Sequence, residues 1–598
     1  MDLVPFDFTS QSASTRPAAR RFRAALLAGL FGLVAVGPSQ AATPQRQTKS
    51  VPRPFQVSSS PAGNYLSALS AGFQRDTAAA STFFREVLRH DPRNAEIIER
   101  AFVATLANGN VPEAFGLAER LVARDKANGL GHLVLGVRAI KARQFSTARG
   151  ELAKSGSNRQ RDITAILLGA WTYVGSNDYK RALDTLDQLK DPRFAGFRDY
   201  HAALIADISK NVPEATKRMK AAYESEKNTL RVVDAYARFL SRQGQIEEAK
   251  KVYQAFEELV PRHPLVASAL ATLDTAKPLP ATVKNSQQGA AEVLYGLGSA
   301  GNRQGDELAA VIYLRLSQHL EADNPLAIVT LASLYENLKQ YEAAIDIYET
   351  MPEQSPLRSN ADIQIGLLLE TLGRGDEAVK HLVAMTADHP KDTEALNALA
   401  NLQRSRKDFA AAVTTYTKVL ELSPANERSL WPVYYFRAIS YERQKMWPKA
   451  EADFQKALEL FPNQPLVLNY LGYSWVDQGL HLEEAFRMLQ KAVELRPTDG
   501  YIVDSLGWGH YKLGRYEEAL RELERAVELK PGDPTINDHL GDVYWKTGRK
   551  LEAVFQWNHA RDLNPEPDEL PRILEKIKNG MGDDVKPASV TEQPKNGG

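Results

Sequence analysis

The sequence predicts an all-α solenoid, a superhelical stack of helix–turn–helix units. One pattern recurs: a Leu-Gly pair, a turn, an Ala, further apolar residues and a closing Pro. The repeat length is 34 residues, and the phase holds through fourteen units. At 598 residues the chain is also too long for one compact core. The clearest copies contain the pairs Leu471-Gly472, Leu506-Gly507 and Leu540-Gly541.

The spacing within a unit indicates how its two helices touch. With each Ala placed at position 20, a small residue falls at position 8 and a Pro near position 32. Small residues at positions 8 and 20 let the helices approach closely, and the Pro ends the second helix. This period and pattern resemble the tetratricopeptide repeat, a helix–turn–helix unit that stacks into solenoids.

The units divide into two predicted arrays. About six repeats occupy residues 61–263 and about eight occupy residues 291–567, separated by a linker or hinge over 264–290 that contains Pro278 and Pro280. A capping helix is predicted at 568–579, where it would cover the last repeat. Composition predicts disordered segments at 42–60 and 580–598.

The N-terminus reads as a secretory signal peptide over residues 1–41. Four arginines precede the apolar run 24–36, and small residues at Ser39 and Ala41 would place the cleavage site after Ala41. The apolar run has 13 residues, which is short for a membrane span of about 20 residues. We therefore expect export to the periplasm; an uncleaved leader that serves as a membrane anchor is the alternative.

Composition excludes several kinds of chemistry. The chain has no cysteine, so disulfides, thiolate metal sites and a lipid-modified cysteine are absent, and no direct lipid anchor is expected. Basic and acidic residues balance at 74 each, which gives no electrostatic footprint for nucleic acid. The 11 histidines show no HxxxH pair, so no metal site is predicted.

No enzymatic motif is supported. The segment 296–301 matches GxGxxG, but it lies inside the first helix of a repeat, where Gly298 is the expected small residue at position 8. A nucleotide site would need a strand before these glycines and a helix start after them. We expect no catalytic residues and no cofactor; an enzyme with an unrecognised site near 264–290 is the remaining alternative.

Function in such an array is expected on its concave groove. Groove positions 5, 9, 12 and 13 of the last three units place large aromatics between acidic and basic residues, an arrangement typical of partner anchors. The alternative is that these aromatics only fill the inner wall between neighbouring helices. The predicted groove residues are Asn469, Tyr473, Asp504, Trp508, Tyr511, Lys512, Asp538, Asp542, Trp545 and Lys546.

Segments of the second array carry a more specific resemblance. The stretches LNYLGYSWVDQG, GYIVDSLGWGHYKLGRYEEAL and NDHLGDVYWKTGRKLEAVFQW are similar to those of a bacterial family of exported tetratricopeptide-repeat proteins. One branch of that family consists of outer-membrane lipoprotein adaptors of a periplasmic carboxyl-terminal processing protease, to which they deliver peptidoglycan hydrolases. This chain departs from that branch because it has no lipobox cysteine.

The resemblance implies a non-enzymatic scaffold or adaptor of the cell envelope that binds a partner protein or peptide in its groove. A periplasmic protease or a peptidoglycan hydrolase is the partner that the branch implies, and membrane association would then come through partners or an uncleaved leader. An assembly factor for outer-membrane or exopolysaccharide machinery is the alternative function. The groove lacks the Lys/Asn set by which chaperone-linked members of this repeat class clamp a terminal carboxylate, since Asp504 and Asp538 stand at position 5.

Overall fold

The structure is a computed structural model that describes residues 56–156, 163–424 and 427–582. Within these residues the chain forms α-helices and two short 3-10 turns, with no strand. The predicted signal peptide, most of the predicted linker at 42–60 and the predicted tail beyond Gly582 lie outside the described residues. The predicted all-α class is confirmed.

The helices follow one another in pairs with short turns between them. The first thirteen are α1 (Pro61–Phe73), α2 (Thr77–His90), α3 (Ala95–Ala107), α4 (Val111–Arg124), α5 (Gly129–Lys141), α6 (Phe145–Ser155), α7 (Ile163–Gly175), α8 (Tyr179–Leu186), α9 (Ala195–Ile208), α10 (Val212–Ser225), α11 (Leu230–Arg242), α12 (Ile246–Glu257) and α13 (Pro264–Asp274).

The remaining helices continue this alternation to the end of the described chain. They are α14 (Ser286–Gln304), α15 (Glu307–Leu320), α16 (Pro325–Asn337), α17 (Tyr341–Tyr348), α18 (Arg358–Thr371), α19 (Gly375–Asp388), α20 (Thr393–Ser405), α21 (Phe409–Leu422), α22 (Trp431–Arg443), α23 (Trp447–Leu460), α24 (Pro465–Gln478), α25 (Leu482–Leu495), α26 (Gly500–Lys512), α27 (Tyr516–Leu529), α28 (Pro534–Lys546), α29 (Lys550–Asp562) and α30 (Leu570–Asn579).

The backbone repeats with the same phase as the sequence. In all fourteen units the residue at position 15, between the two helices, has a positive φ. Seven of these residues are glycine and the other seven are Lys, Arg or Asn. A left-handed residue ends the first helix and turns the chain back, so one such position per unit forms the turn between its two helices. The residues are Arg75, Gly109, Arg143, Asn177, Lys210, Gly244, Gly305, Lys339, Gly373, Lys407, Lys445, Gly479, Gly514 and Gly548.

The alanines at position 20 form the contact between the helices of each pair. All fourteen are buried, and thirteen of them have no exposed surface. Position 8 is equally tight: a Cβ added at Gly507 would lie 2.6 Å from Leu523 Cγ, and one at Gly298 would lie 2.8 Å from Leu314 Cγ. The small residues therefore set the distance between helices, and Gly298 lets α14 pack closely against α15, as the sequence predicted.

The described chain divides into two compact units within helix α19, between Ala378 and Val379. This boundary differs from the predicted division at 264–290. In the N-terminal unit, helices α14 and α15 contact α3, α5, α7 and α9, which are first helices of the early repeats. Since first helices line the concave face, the repeats after the predicted linker fill the groove of the first array.

Buried polar contacts hold α14 in that groove. Glu292 on α14 is 2% exposed and accepts from the Arg231 guanidinium at 2.6–2.8 Å and from the Tyr200 hydroxyl at 2.8 Å. Close by, the backbone of Gly289 lies flat against the Trp171 indole, where an added Cβ would come within 2.1 Å of the ring.

The segment predicted as a linker or hinge is itself packed. Its first part forms helix α13, in which Val266 and Leu273 are fully buried. After that helix, Leu279 is 4% exposed and its backbone N–H donates to Ser241 Oγ at 3.0 Å. Val283 is 3% exposed. Apolar anchors therefore tie the proline-containing stretch to the first array.

The C-terminal unit contains the clearest repeats and the predicted capping helix. Its apolar core joins successive pairs through residues such as Phe454, Leu489 and Leu523, each without exposed surface. Helix α30 covers the last pair with Ile573, which is 1% exposed and belongs to the same cluster as Trp557. Helix α30 thus occupies the place that the first helix of another repeat would take.

Candidate functional site

The candidate groove is formed by the first helices α24, α26 and α28 together with α30. Successive first helices contact one another, which brings positions 5 and 9 of adjacent repeats side by side. Extending the 34-residue period into α30 places Arg572 at position 5 and Lys576 at position 9. The groove therefore has a fourth wall that was not included among the predicted site residues.

Trp508 is at the centre of an aromatic stack. Its indole lies nearly parallel to the Tyr511 ring at 4.7 Å between centroids and to the His539 imidazole at 3.9 Å. The Lys512 ammonium lies 5.4 Å from the centroid of the same indole, which is a cation–π distance. Trp508 is therefore held by its neighbours and is only partly accessible, as the inner-wall alternative had described.

A buried ion pair orients the histidine of this stack. His539 Nδ1 lies 3.0 Å and 3.1 Å from the two carboxylate oxygens of Asp504. Because a carboxylate only accepts, the proton is on Nδ1. Burial alone would lower the pKa of His539, but the charges of Asp504 and two further aspartates raise it above the usual value.

The other two predicted aspartates are bound by the capping helix. Lys576 Nζ lies 2.7 Å from Asp538 and 2.7 Å from Asp542 Oδ1. Asp542 also accepts from the Trp557 indole N–H at 2.9 Å and is 6% exposed. Burial raises the pKa of Asp542 even though Lys576 opposes the shift. Both carboxylates are thus used within the chain.

Trp545 and Lys546 are covered by the residues that follow α30. The Trp545 indole N–H donates to the Met581 carbonyl at 2.9 Å, and the backbone of Gly580 lies against the same ring. Lys546 Nζ donates to the Gly582 carbonyl at 3.4 Å. These two predicted groove residues therefore hold the end of the described chain.

The predicted groove residues on α24 are less covered by other parts of the chain than those on α28. Tyr473 is half-buried, and burial together with nearby carboxylates raises the pKa of its phenol. Asn469 is half-buried, and its Oδ1 is sealed from solvent without a hydrogen-bond partner. At the edge, Lys512 Nζ lies 3.2 Å from Asp477 Oδ1, so an ion pair links α26 to α24.

A cavity of about 460 Å³ opens between α26, α28 and α30. The structure brings Trp508, Asp538 and Asp542 of the predicted set to its wall. The others that line it are Thr535, His539, Glu569, Pro571, Arg572, Glu575 and Lys576. The sequence reasoning missed His539 as a groove residue because it stands at position 6, and missed the α30 residues because the period was stopped at 567.

Over 56–156, 163–424 and 427–582, none of the helices combines the length and apolar character needed to cross a membrane. In the same ranges no three His, Asp or Glu side chains come together as a metal site.

Family models match four stretches of the chain. Models described as tetratricopeptide repeat match residues 431–464, 363–427 and 327–350, and a model described as TPR repeat matches 510–548. These stretches therefore contain tetratricopeptide repeats, and the described chain has the fold of a tetratricopeptide-repeat solenoid. All four matches lie C-terminal to the predicted linker, where the sequence pattern is clearest.

Curated relatives match part of the chain. A TPR repeat-containing protein of Pseudomonas aeruginosa is 27% identical over 193 residues, which are 31% of this chain and 31% of that protein. A human protein O-mannosyl-transferase, TMTC1, is 26% identical over 31% of this chain and 21% of its own length. The chain thus spans less than a third of either relative.

Solved structures that match the chain include a hetero-tetramer and a TPR protein. The Cut9–Hcn1 hetero-tetramer structure covers 88% of this chain and 97% of its own, at 15% identity and a TM-score of 0.37. YrrB, described as a TPR protein with an unusual peptide-binding site, covers 32% of this chain and 97% of its own, at 23% identity and a TM-score of 0.26.

Proposed function

We propose that this protein is a non-enzymatic adaptor of the bacterial cell envelope that binds a partner protein or peptide in the C-terminal groove. Tetratricopeptide solenoids are in general protein-interaction scaffolds, and the matches above assign the repeats. The observation that supports this groove in particular is the cavity between α26, α28 and α30. It combines an aromatic wall with charged side chains from two helices.

The N-terminal groove is a poor competitor for the same role. Helices α14 and α15 occupy it, and Glu292 and Gly289 are buried in the contact. Displacing α14 would expose the buried Arg231–Glu292 pair, and a partner would have to replace those hydrogen bonds. Partner binding is therefore assigned to the C-terminal unit.

The envelope location is supported by the leader and by the family resemblance. The arginines, the 13-residue apolar run and the small residues before Ala41 match a signal peptide. Fractionation of bacterial cells that express the full chain, with N-terminal sequencing, tests this. A mature chain beginning after Ala41 in the periplasmic fraction is expected, and an intact leader in the cytoplasm would refute the location.

Partner capture tests the groove. The full chain, bound to a resin, is exposed to a solubilised envelope fraction, and recovered proteins are identified by mass spectrometry. Arg572→Glu reverses an exposed charge at the cavity, whereas Arg521→Glu reverses an exposed charge on the outer helix α27. Loss of a partner with the first variant and retention with the second are expected; equal capture by both would contradict the assignment.

The identity of the captured protein separates the adaptor from its alternative. A periplasmic protease or peptidoglycan hydrolase supports the adaptor, as the resemblance implies. Outer-membrane or exopolysaccharide machinery would support an assembly factor that uses the same groove. Turnover of substrate by the purified chain would refute the non-enzymatic role.

A further inference from the structure

The cavity in the C-terminal unit contains a buried histidine with one nitrogen unused. His539 is 7% exposed and lines the cavity wall. Its Nδ1 is committed to Asp504, while Nε2 makes no hydrogen bond to the described chain and is not among its solvent-sealed atoms. Because Nε2 is at the cavity wall and has no hydrogen-bond partner in the described chain, it can hydrogen-bond to a ligand there.

The surrounding charges determine what Nε2 offers. Asp504 on α26 faces the imidazole, and Asp538 and Asp542 flank it on α28. Arg572 and Lys576 come from α30, and Glu569 directly precedes that helix. The carboxylates favour the protonated imidazole, in which Nε2 is a hydrogen-bond donor. Trp508 stacks on the ring at 3.9 Å and fixes its orientation.

The cavity contains a second open donor. Arg572 lines it and is exposed, and its guanidinium makes no ion pair or hydrogen bond within 56–156, 163–424 and 427–582. The acids at the base are different, because Asp538 and Asp542 both bind Lys576 and Asp504 binds His539. The three aspartates are thus paired within the chain, whereas Glu569, which interacts electrostatically with Arg572, and Glu575 remain at the cavity wall.

We propose that the cavity binds a single carboxylate of the partner, which accepts hydrogen bonds from His539 Nε2 and the Arg572 guanidinium. This inference rests on the proposed function and specifies what the groove recognises. A planar guanidinium and a charged imidazole N–H are both strong partners for a carboxylate. The sequence predicted that the groove lacks the Lys/Asn set for a terminal carboxylate because Asp504 and Asp538 stand at position 5. The donors proposed here are different residues, and both aspartates are paired within the chain.

The same surroundings limit how much negative charge the ligand carries. Glu569 and Glu575 also line the cavity, so a second carboxylate beside the first would meet like charge. One carboxylate flanked by neutral residues therefore binds better than an acidic run. The carboxylate could come from an Asp or Glu side chain or from a chain terminus, and both offer the same two oxygens.

Peptide binding to the intact protein tests the proposal. Histidines are labelled with ¹³C at Cε1, and the His539 signal is assigned with His539→Gln. Blocked hexapeptides of alanine with one central Glu, Gln or Lys are titrated to about 10 mM, alongside an all-alanine peptide with a free carboxyl end. The Glu peptide or the free-end peptide should shift the His539 signal saturably and raise its titration midpoint, and the stronger of the two identifies the source.

Each competing result has a defined meaning. Binding of the Gln peptide at least about tenfold weaker than the carboxylate peptide is expected. Equal binding of the Gln and Glu peptides would refute the carboxylate class while leaving peptide binding by the groove intact. Tighter binding of the Lys peptide, or no binding of any peptide, would also refute it; partner capture from the envelope fraction judges the proposed function separately.

A matched pair of variants isolates the second donor. Arg572→Ala removes an exposed side chain at the cavity, and Arg521→Ala removes an exposed arginine from the outer helix α27. Arg572→Ala should weaken the carboxylate peptide about tenfold or more, while Arg521→Ala should leave it unchanged. This pair remains informative even if His539→Gln unfolds the last repeat, and equal affinities for the two variants would refute the role of Arg572.

Discussion

Replacing Glu292 with Gln should destabilise the N-terminal unit by about 3 kcal/mol. The side chain is 2% exposed and bridges Arg231 and Tyr200, so the substitution keeps the shape and removes the charge. Arg231 would then be buried with only Asp234, 4.0 Å away, to compensate it. Breaking a buried ion pair on one side costs roughly 3–5 kcal/mol, and we take the lower end because Asp234 remains.

A surface ion pair on the neighbouring helix provides the control. Glu307 on α15 lies 2.7 Å from Arg75, but the two side chains are 33% and 55% exposed. Exposed pairs contribute about 0–1 kcal/mol, so Glu307→Gln should leave stability nearly unchanged. Both glutamates join the same two parts of the unit, and only burial distinguishes them.

Urea unfolding followed by ¹⁹F NMR of 5-fluorotryptophan measures the difference. Trp171 is the only tryptophan before residue 379, so its signal, assigned with Trp171→Phe, reports on the N-terminal unit alone. The Glu292 variant should lower the free energy of unfolding at this signal with little effect on the other six tryptophans. A loss below about 1 kcal/mol, or one equal to the Glu307 control, would refute the argument that burial gives the pair its strength.

The pH dependence gives an independent check on the same pair. Burial by itself would raise the pKa of Glu292, but Arg231 and the hydrogen bonds hold it below the usual value. A carboxyl with a lowered pKa in the folded state stabilises above its unfolded pKa and loses this as the pH falls. The difference between wild type and Glu292→Gln should therefore be full at pH 7 and shrink below the unfolded value of 4.5.

Three further predictions use local geometry. Gly373 has φ +73° and no atom near an added Cβ, so Gly373→Ala should lower the free energy of unfolding in urea by about 1–2 kcal/mol. Gly116 lies inside helix α4 with equally open space, so Gly116→Ala should instead raise it by about 0.5–1 kcal/mol. Changes of the same sign in both variants would contradict the left-handed turn. Gly289→Ala should destabilise by about 1–3 kcal/mol, because the new methyl group meets the indole that faces it, and unchanged stability would mean that this contact is loose. The pKa of His539 is raised in the folded state, so its pair with Asp504 should stabilise the last repeats below pH 6.5, and this stabilisation should be lost as the pH rises through the folded pKa. In thermal unfolding, the stability of Asp504→Asn should depend less on pH in that range than the stability of wild type does. Identical pH profiles would contradict the pair.

The repeat pattern predicted part of the candidate site. The pattern placed Trp508, Asp538 and Asp542 on the inner face, and the structure brings all three to one cavity. It did not show that Lys576 would neutralise the two aspartates or that Trp545 would be covered by residues 580–582. Those contacts come from α30, which follows the period in position but lacks the pattern, and from the residues directly after it.

The sequence by itself determined the fold class and the phase of every unit. Small residues at positions 8 and 20 leave room for only one close helix pairing, and this local requirement recurs within each 34-residue segment. The positive φ at position 15 of all fourteen units follows that phase, although Lys or Arg often stands where glycine would be easier. Contacts between neighbouring residues in the chain are enough to decide features of this kind.

Only the tertiary structure decided which grooves are filled. Glu292 is separated from Arg231 by 61 residues, and no period connects the two positions. The same is true of Lys576 and its aspartates, and of the open nitrogen on His539. A charged residue on a first helix reads alike in the sequence whether it faces solvent or a partner helix, because burial depends on the packing of distant repeats.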